Sequence, residues 1–126
     1  MDSAVQDTWH GLHSLFGSKW TFHVLRLLDS RSHRFNEMKR AIDGLTAPML
    51  SRRLTELECH GFVSRSVEHT SPPSTTYRLT DEGRQITALL RDLEVAVEMR
   101  ECEDPSSCNE TIDGACVSAR SSQPPC

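Results

Sequence analysis

Two guanidinium groups stand side by side at Arg52 and Arg53, preceded by the hydroxyl of Ser51, within the run TAPMLSRRLTELECHG from Thr46 to Gly61. An arginine offers a fixed fork of N–H donors that fits a phosphate or the O6/N7 edge of guanine, and a serine reaches either. At helical spacing, Leu50, Leu54 and Leu57 form one stripe with Met49 at its edge. Ser51, Arg52, Thr55 and Glu56 face away from that stripe, and Arg53 lies toward its flank. Thr46 suits an N-cap, Pro48 suits a first turn whose N–H has no partner, and Gly61 suits a stop. A short amphipathic helix of this kind can lie in a DNA major groove with its N-terminal residues at base edges. The same pattern also describes an ordinary surface helix with solvated arginines, so the flanking sequence has to decide.

Sulfur and imidazole chemistry is the second candidate. Cys59 lies near the end of the same helix, beside His60. Cys102, Cys108, Cys116 and Cys126 follow, with five, seven and nine residues between them. None is a CxxC pair, so no recognised zinc or iron–sulfur spacing is present. Three states stay open for these thiols: reduced and idle, joined in a redox-formed disulfide, or gathered at a loose metal site. His10 and His13, one helical turn apart, suit chelation, a surface pair or a pair at a dimer interface. The sequence holds no nucleophile with a credible base, no glycine-rich phosphate loop and no acid pair. An enzyme is therefore not expected, nor a metal or other cofactor.

The elements that position these groups can be read from the rest of the chain. Its 126 residues fit one domain with one modest core. No 18-residue apolar run occurs, and MDSAVQDTWH lacks a basic stretch followed by an apolar one. No membrane contact or signal peptide is expected, and the expected location is cytoplasmic. The net charge of −4 looks wrong for a partner of nucleic acid, but it is unevenly spread. Residues 19–84 hold 11 Lys+Arg against 8 Asp+Glu, and the remainder holds 3 against 10. A basic middle is thus flanked by acidic ends.

Val5, Trp9, Leu12, Leu15 and Phe16 predict a first helix over 5–16, interrupted by Gly17. A second helix over 19–28 carries Trp20, Val24, Leu27 and Leu28 on one face, broadened by Phe22 and Leu25, which suggests a central, mostly buried element. DSRSH is a polar turn. Phe35–Ile42 is a third short helix with Phe35, Met38, Ala41 and Ile42 inward, and Asp43-Gly44 is a turn signal. After the Thr46 helix, FVSRSVEH and TYRLT alternate as strands around the Pro-rich loop TSPPST, giving a hairpin with a projecting tip. Thr80 then caps a last helix reaching about Arg100, with Ile86, Leu89, Leu90, Leu93 and Val97 in one long stripe. From Glu101 the chain is polar, acidic and rich in Ser and Pro, so a largely disordered tail is expected over 101–126, beyond a DNA-binding domain over 1–100. The order predicts a mainly α fold with a small β-hairpin: a winged helix-turn-helix with an added helix at each end.

At this point the chain resembles the HxlR family of winged-helix transcriptional regulators, over roughly residues 8–99. Gly17-Ser18-Lys19-Trp20 is similar to the family's entry into its second helix, and Arg34-Phe35-Asn36-Glu37-Met38 to its RFNEL signature. Leu50–Arg65 matches the recognition helix and first wing strand. Pro72-Pro73 and Tyr77–Gly83 resemble the wing and its YxLTxxG exit. The resemblance implies a homodimer that binds a pseudo-palindromic operator in double-stranded DNA, often as a repressor. It leaves the effector open, although some members respond to electrophiles or oxidants through a cysteine. Three positions depart from the family pattern. Asp7 stands where many redox-sensing members have cysteine, Ser74 where a basic wing residue is common, and Pro48 where Lys is common. The last two changes remove phosphate contacts.

The expected DNA-contacting set is therefore Arg34, Asn36, Lys39, Pro48, Ser51, Arg52, Arg53, Arg65, His69 and Ser74, with Arg40 a further phosphate neighbour. The expected dimer surface is Trp9, Leu12 and Phe16 with Ile86, Leu89, Leu90, Leu93 and Val97. The five cysteines keep a second function class open: a thiol-redox or metal-responsive binding protein that uses the winged helix as a scaffold.

Overall fold

Leu50, Leu54 and Leu57 are fully buried, and they turn the opposite face of their helix outward. Burying each such side chain contributes about 1.5–3 kcal/mol, so this orientation is strongly fixed. The structure is a computed structural model and describes residues 1–101 and 115–120. The elements are α1 (Ser3–Phe16), α2 (Thr21–Ser30), β1 (His33–Arg34), α3 (Phe35–Ala41), α4 (Ala47–Cys59), β2 (Val63–Glu68), β3 (Ser74–Leu79), α5 (Asp81–Ala96), β4 (Val97–Glu101) and β5 (Ala115–Ala119). They fall into two compact units, Met1–Thr87 and Ala88–Cys126.

The first unit holds the core. Val24, Leu25 and Leu28 of α2 and Met38 of α3 are buried with the α4 leucines, Val63, Tyr77 and Leu79. A three-stranded antiparallel sheet in the order β1-β3-β2 closes it. Its register places Val63 opposite Leu79, Arg65 opposite Tyr77 and Glu68 opposite Ser74. This is the winged helix-turn-helix that the sequence predicts: α3 and α4 are the helix pair, and β2–β3 is the wing.

Several elements differ from expectation. The DSRSH segment is not simply a turn, because His33 pairs with Tyr77 and Arg34 with Thr76 in β1. His33 is buried, and its Nδ1 lies 2.9 Å from the Arg31 carbonyl, an acceptor that requires the proton on Nδ1. Two residues are too few to show alternation, so the sequence gives no strand signal there. Ala41 is exposed rather than inward. Phe22 is exposed yet stacks on Phe16, with ring centroids 5.8 Å apart.

The second unit takes up the rest of α5 and a ladder of its own. The last helix stops at Ala96 instead of Arg100, and Val97, expected on the helical stripe, opens β4. β4 pairs antiparallel with β5, Met99 opposite Val117 and Arg100 opposite Cys116. The expectation of disorder therefore does not hold for Ala115–Ala119, where ACVSA is a short β-compatible run inside a polar tail. Residues 102–114 and 121–126 lie outside the described residues, so the expectation for them stands apart from the structure.

α1 is unusual in having no buried residue. Asp2 caps it by accepting from the Ala4 N–H at 3.2 Å, which starts it two residues before the predicted Val5. Trp9 is 64% exposed, and Val5 and Leu12 are exposed beside it. Phe16, expected at a dimer surface, is half-buried and shared with Phe22 and with Phe62, whose centroid is 6.5 Å away. On α5, Leu89 (64%) and Leu93 are exposed, whereas Ile86 and Leu90 are half-buried.

Candidate nucleic-acid interface

α4 begins where the Thr46 hydroxyl accepts from the Met49 N–H at 3.4 Å, and Pro48 occupies its first turn. Pro48, Met49, Ser51, Arg52, Thr55, Glu58 and Cys59 are exposed along it. At 3.6 residues per turn, Pro48, Arg52 and Cys59 lie near the centre line of that exposed face. Cys59 sits seven residues beyond Arg52, about 10.5 Å along the axis.

The two arginines are not equivalent. Arg52 projects, with its side chain 76% exposed. Arg53 is 15% exposed, and its Nη1 lies 3.2 Å from Glu56 Oε2. The other Glu56 oxygen, Oε1, lies 3.8 Å from Arg52 Nε. One carboxylate thus stands between both guanidinium groups. Helical spacing in the sequence turns Glu56 outward without assigning it a role, and its i,i+3 and i,i+4 spacing to the arginines is the signal for this pairing.

The end of α4 is locked to the wing and to α5. The His60 N–H donates to Glu56 O and the Phe62 N–H to Leu57 O, each at 3.0 Å. Gly61 turns the chain with φ +82°, a left-handed conformation that disfavours side chains. The Thr80 hydroxyl donates to Gly61 O at 2.6 Å and accepts from the Gly83 N–H at 3.0 Å. The Thr80 N–H donates to Phe62 O at 3.0 Å. The hairpin is therefore tied at its base to the point where α4 ends.

On the hairpin, Arg65 is exposed and sits opposite Tyr77 in the ladder. His69 is exposed at the tip. Ser74, half-buried, has its hydroxyl 3.5 Å from Glu68 Oε2, so an acid closes the tip beside it. Arg78, missed from sequence, donates from Nε to Ser64 Oγ at 3.1 Å on the other face of the same strands. At the start of α3, Arg34 and Asn36 are exposed, as is Lys39. Arg40 donates from Nε to Asn36 O at 3.2 Å, which holds its guanidinium along the helix. The expected DNA-contacting residues thus fall on α3 and the residue before it, on α4 and on the wing, with Arg53 mostly covered.

Two ionisable groups are shifted here. Glu37 is held below the usual carboxylate range, first by its hydrogen bond from Arg31 at 3.0 Å and then by the Arg34 backbone N–H at 3.2 Å. Tyr77 is raised above its ordinary value by burial, against an opposing pull from Arg65 and with a small push from Glu58. Cys59 is exposed and Cys116 half-buried, both as free thiols. Cys102, Cys108 and Cys126 lie outside the described residues. Among the described residues, no three His, Cys, Asp or Glu side chains group to hold a metal ion. Among the same residues, no helix is long and apolar enough to cross a membrane.

Known proteins are similar to this chain in sequence and in fold. An HTH-type transcriptional regulator of Halalkalibacterium halodurans is 38% identical over 91 residues, covering 71% of this chain and 80% of that protein. A solved MarR-family transcriptional regulator from Enterococcus faecalis superposes with a TM-score of 0.65 at 32% identity, over 71% of this chain and 82% of the other. The redox regulator HypR in its oxidised form gives a TM-score of 0.65 at 31% identity, over 70% and 91%. The family pattern for HxlR-like helix-turn-helix proteins matches residues 15–103. With α3–α4 and the wing in the family's order, the chain belongs to the HxlR-like helix-turn-helix family of transcriptional regulators.

Proposed function

We propose that the protein acts in the cytoplasm as a homodimer that binds a pseudo-palindromic operator in double-stranded DNA and represses transcription. The observation that carries this reading is the outward face of α4, where Arg52 projects from a helix anchored by three buried leucines. Arg52 and Ser51 read base edges. Arg34, Asn36, Lys39, Arg65, His69 and Ser74 lie along the backbone or minor groove, Pro48 stands at the groove entrance, and Arg53 acts from behind Arg52. Dimerisation is supported by α1, because a 14-residue helix with no buried residue is marginal in water without a partner surface. Twofold symmetry would set two recognition helices roughly 34–36 Å apart, one DNA turn. A dimer held on its operator excludes polymerase from the same stretch, which is repression. The test combines sedimentation of the free protein with selection from a randomised duplex pool. A dimer that enriches an inverted repeat supports the reading, and a monomer that enriches nothing overturns it.

A thiol-responsive form of this reading rests on one observation. Cys59 is exposed on the same face of α4 as Arg52. Alkylating the protein should block DNA binding, and Cys59→Ser should bind normally and resist the block. If alkylated wild type still binds, Cys59 does not face the groove.

A further inference from the structure

The pair of ion contacts around Glu56 points beyond a generic arginine-rich helix. Glu56 Oε2 is 3.2 Å from Arg53 Nη1, and Arg53 is mostly covered, so the carboxylate is held at a fixed place on α4. Its second oxygen lies 3.8 Å from Arg52 Nε, on the inner edge of that guanidinium. The Arg52 side chain is 76% exposed, so its guanidinium fork, which fits guanine O6 and N7, is open to a partner.

Stability does not explain the Arg52 contact, since a pair to so exposed a guanidinium contributes little. What the carboxylate does change is the charge of a helix face that has to meet phosphates. Beside Arg52, a pinned negative charge weakens contacts that any sequence offers. In the major groove it accepts only from amino donors, on cytosine or adenine, and is repelled by the oxygen acceptors of guanine and thymine. We propose that Glu56 is a positioning and specificity-determining residue: it aims Arg52 at a guanine and penalises both non-specific DNA and an acceptor edge at the neighbouring base pair. This rests on the DNA-binding reading above and names how the recognition helix discriminates.

The experiment uses the full chain, the duplex that the wild type selects from a randomised pool, and a scrambled duplex of equal length. Affinities for both are measured for wild type, Glu56→Gln, Arg52→Ala and the double variant. Glu56→Gln keeps the shape and helix propensity of the side chain, and circular dichroism checks that it folds. The expected result is that Glu56→Gln lowers the ratio of selected to scrambled affinity about tenfold, through weaker selected binding as Arg52 loses its aim and through tighter scrambled binding. In the Arg52→Ala background only the tighter scrambled binding should remain, so the ratio should move about threefold or less. If Arg52→Ala lowers the ratio and Glu56→Gln leaves it unchanged, this inference fails and the DNA-binding reading stands. An equal effect of Glu56→Gln in both backgrounds also overturns it, since the carboxylate then acts only as bulk charge. If the wild type selects no sequence, both fall together.

Discussion

Gly83, in the first turn of α5, is pressed against the carbonyl of Phe62, the residue that leads out of α4. A Cβ built at Gly83 would overlap the Phe62 oxygen, and that oxygen already accepts the Thr80 N–H at 3.0 Å. The glycine of the YxLTxxG exit is therefore required by close approach rather than by backbone conformation. Gly83→Ala should cost about 3 kcal/mol or force α5 away from the wing, as overpacking against rigid backbone does. Gly11, in α1, is the control: nothing lies within 4 Å of its added Cβ. Gly11→Ala should stabilise the fold by up to about 1 kcal/mol of helix propensity and so raise the melting temperature slightly. Thermal melts of the two variants should move in opposite directions.

Acid should loosen the start of α3 through Glu37. Its carboxyl is held below the usual range by Arg31 and by the Arg34 N–H, so the charged form favours the folded state. That contribution is present above the ordinary carboxylate value, roughly 4.3, and is lost as pH falls through the lowered native value. Glu37→Gln should flatten the acid side of the stability profile and leave the neutral side lower. The carboxylate is partly exposed, so added salt should shrink the difference. An unchanged acid limb in Glu37→Gln would show that the Arg31 pair contributes nothing to stability.

The proposed homodimer would cover exposed apolar residues of α1 and α5. Trp9 and Leu93 are both exposed although large and apolar. Trp9→Glu together with Leu93→Glu should convert a dimer into a monomer and reduce operator affinity by far more than either change alone would alter folding. Light scattering at micromolar concentration reads this directly. A double variant that stays dimeric places the interface elsewhere.

We also propose that residues beyond 101 are dispensable for DNA binding. They carry Glu103, Asp104, Glu110 and Asp113 against Arg120, a charge that phosphate repels. Ending the chain after Glu101 removes β5 but leaves the whole helix-turn-helix and wing. Affinity measured by fluorescence anisotropy should be unchanged or higher. A large loss would mean that the β4–β5 ladder supports the dimer.

Much of the fold was legible because its signals are periodic. The α4 leucine stripe, the Thr46 cap and the Gly61 stop all appear as predicted, since each is a local requirement on side-chain burial or backbone conformation. What escaped reading depends on pairing between distant residues. β1 exists only because His33 and Arg34 meet Tyr77 and Thr76, and β5 only because it meets β4. Within the candidate site, the spacing of Arg52 and Arg53 is visible in the sequence, but their unequal exposure is not. Arg53 lies toward the flank of α4, mostly covered and paired with Glu56, whereas Arg52 projects.

In the proposed complex Arg52 reads a base from the exposed face of α4. The most direct measurement compares Arg52→Ala and Arg65→Ala with wild type on the selected operator and on scrambled DNA, across a salt series. Arg52→Ala should cost roughly 1–3 kcal/mol on the operator and relax preference at one base position, because base edges differ between sequences. Arg65→Ala should weaken both duplexes about equally and reduce the salt slope by about one unit, because phosphates do not differ. Equal losses on both duplexes for Arg52→Ala would make it a phosphate clamp. No loss from either variant, with the dimer folded, would contradict the account.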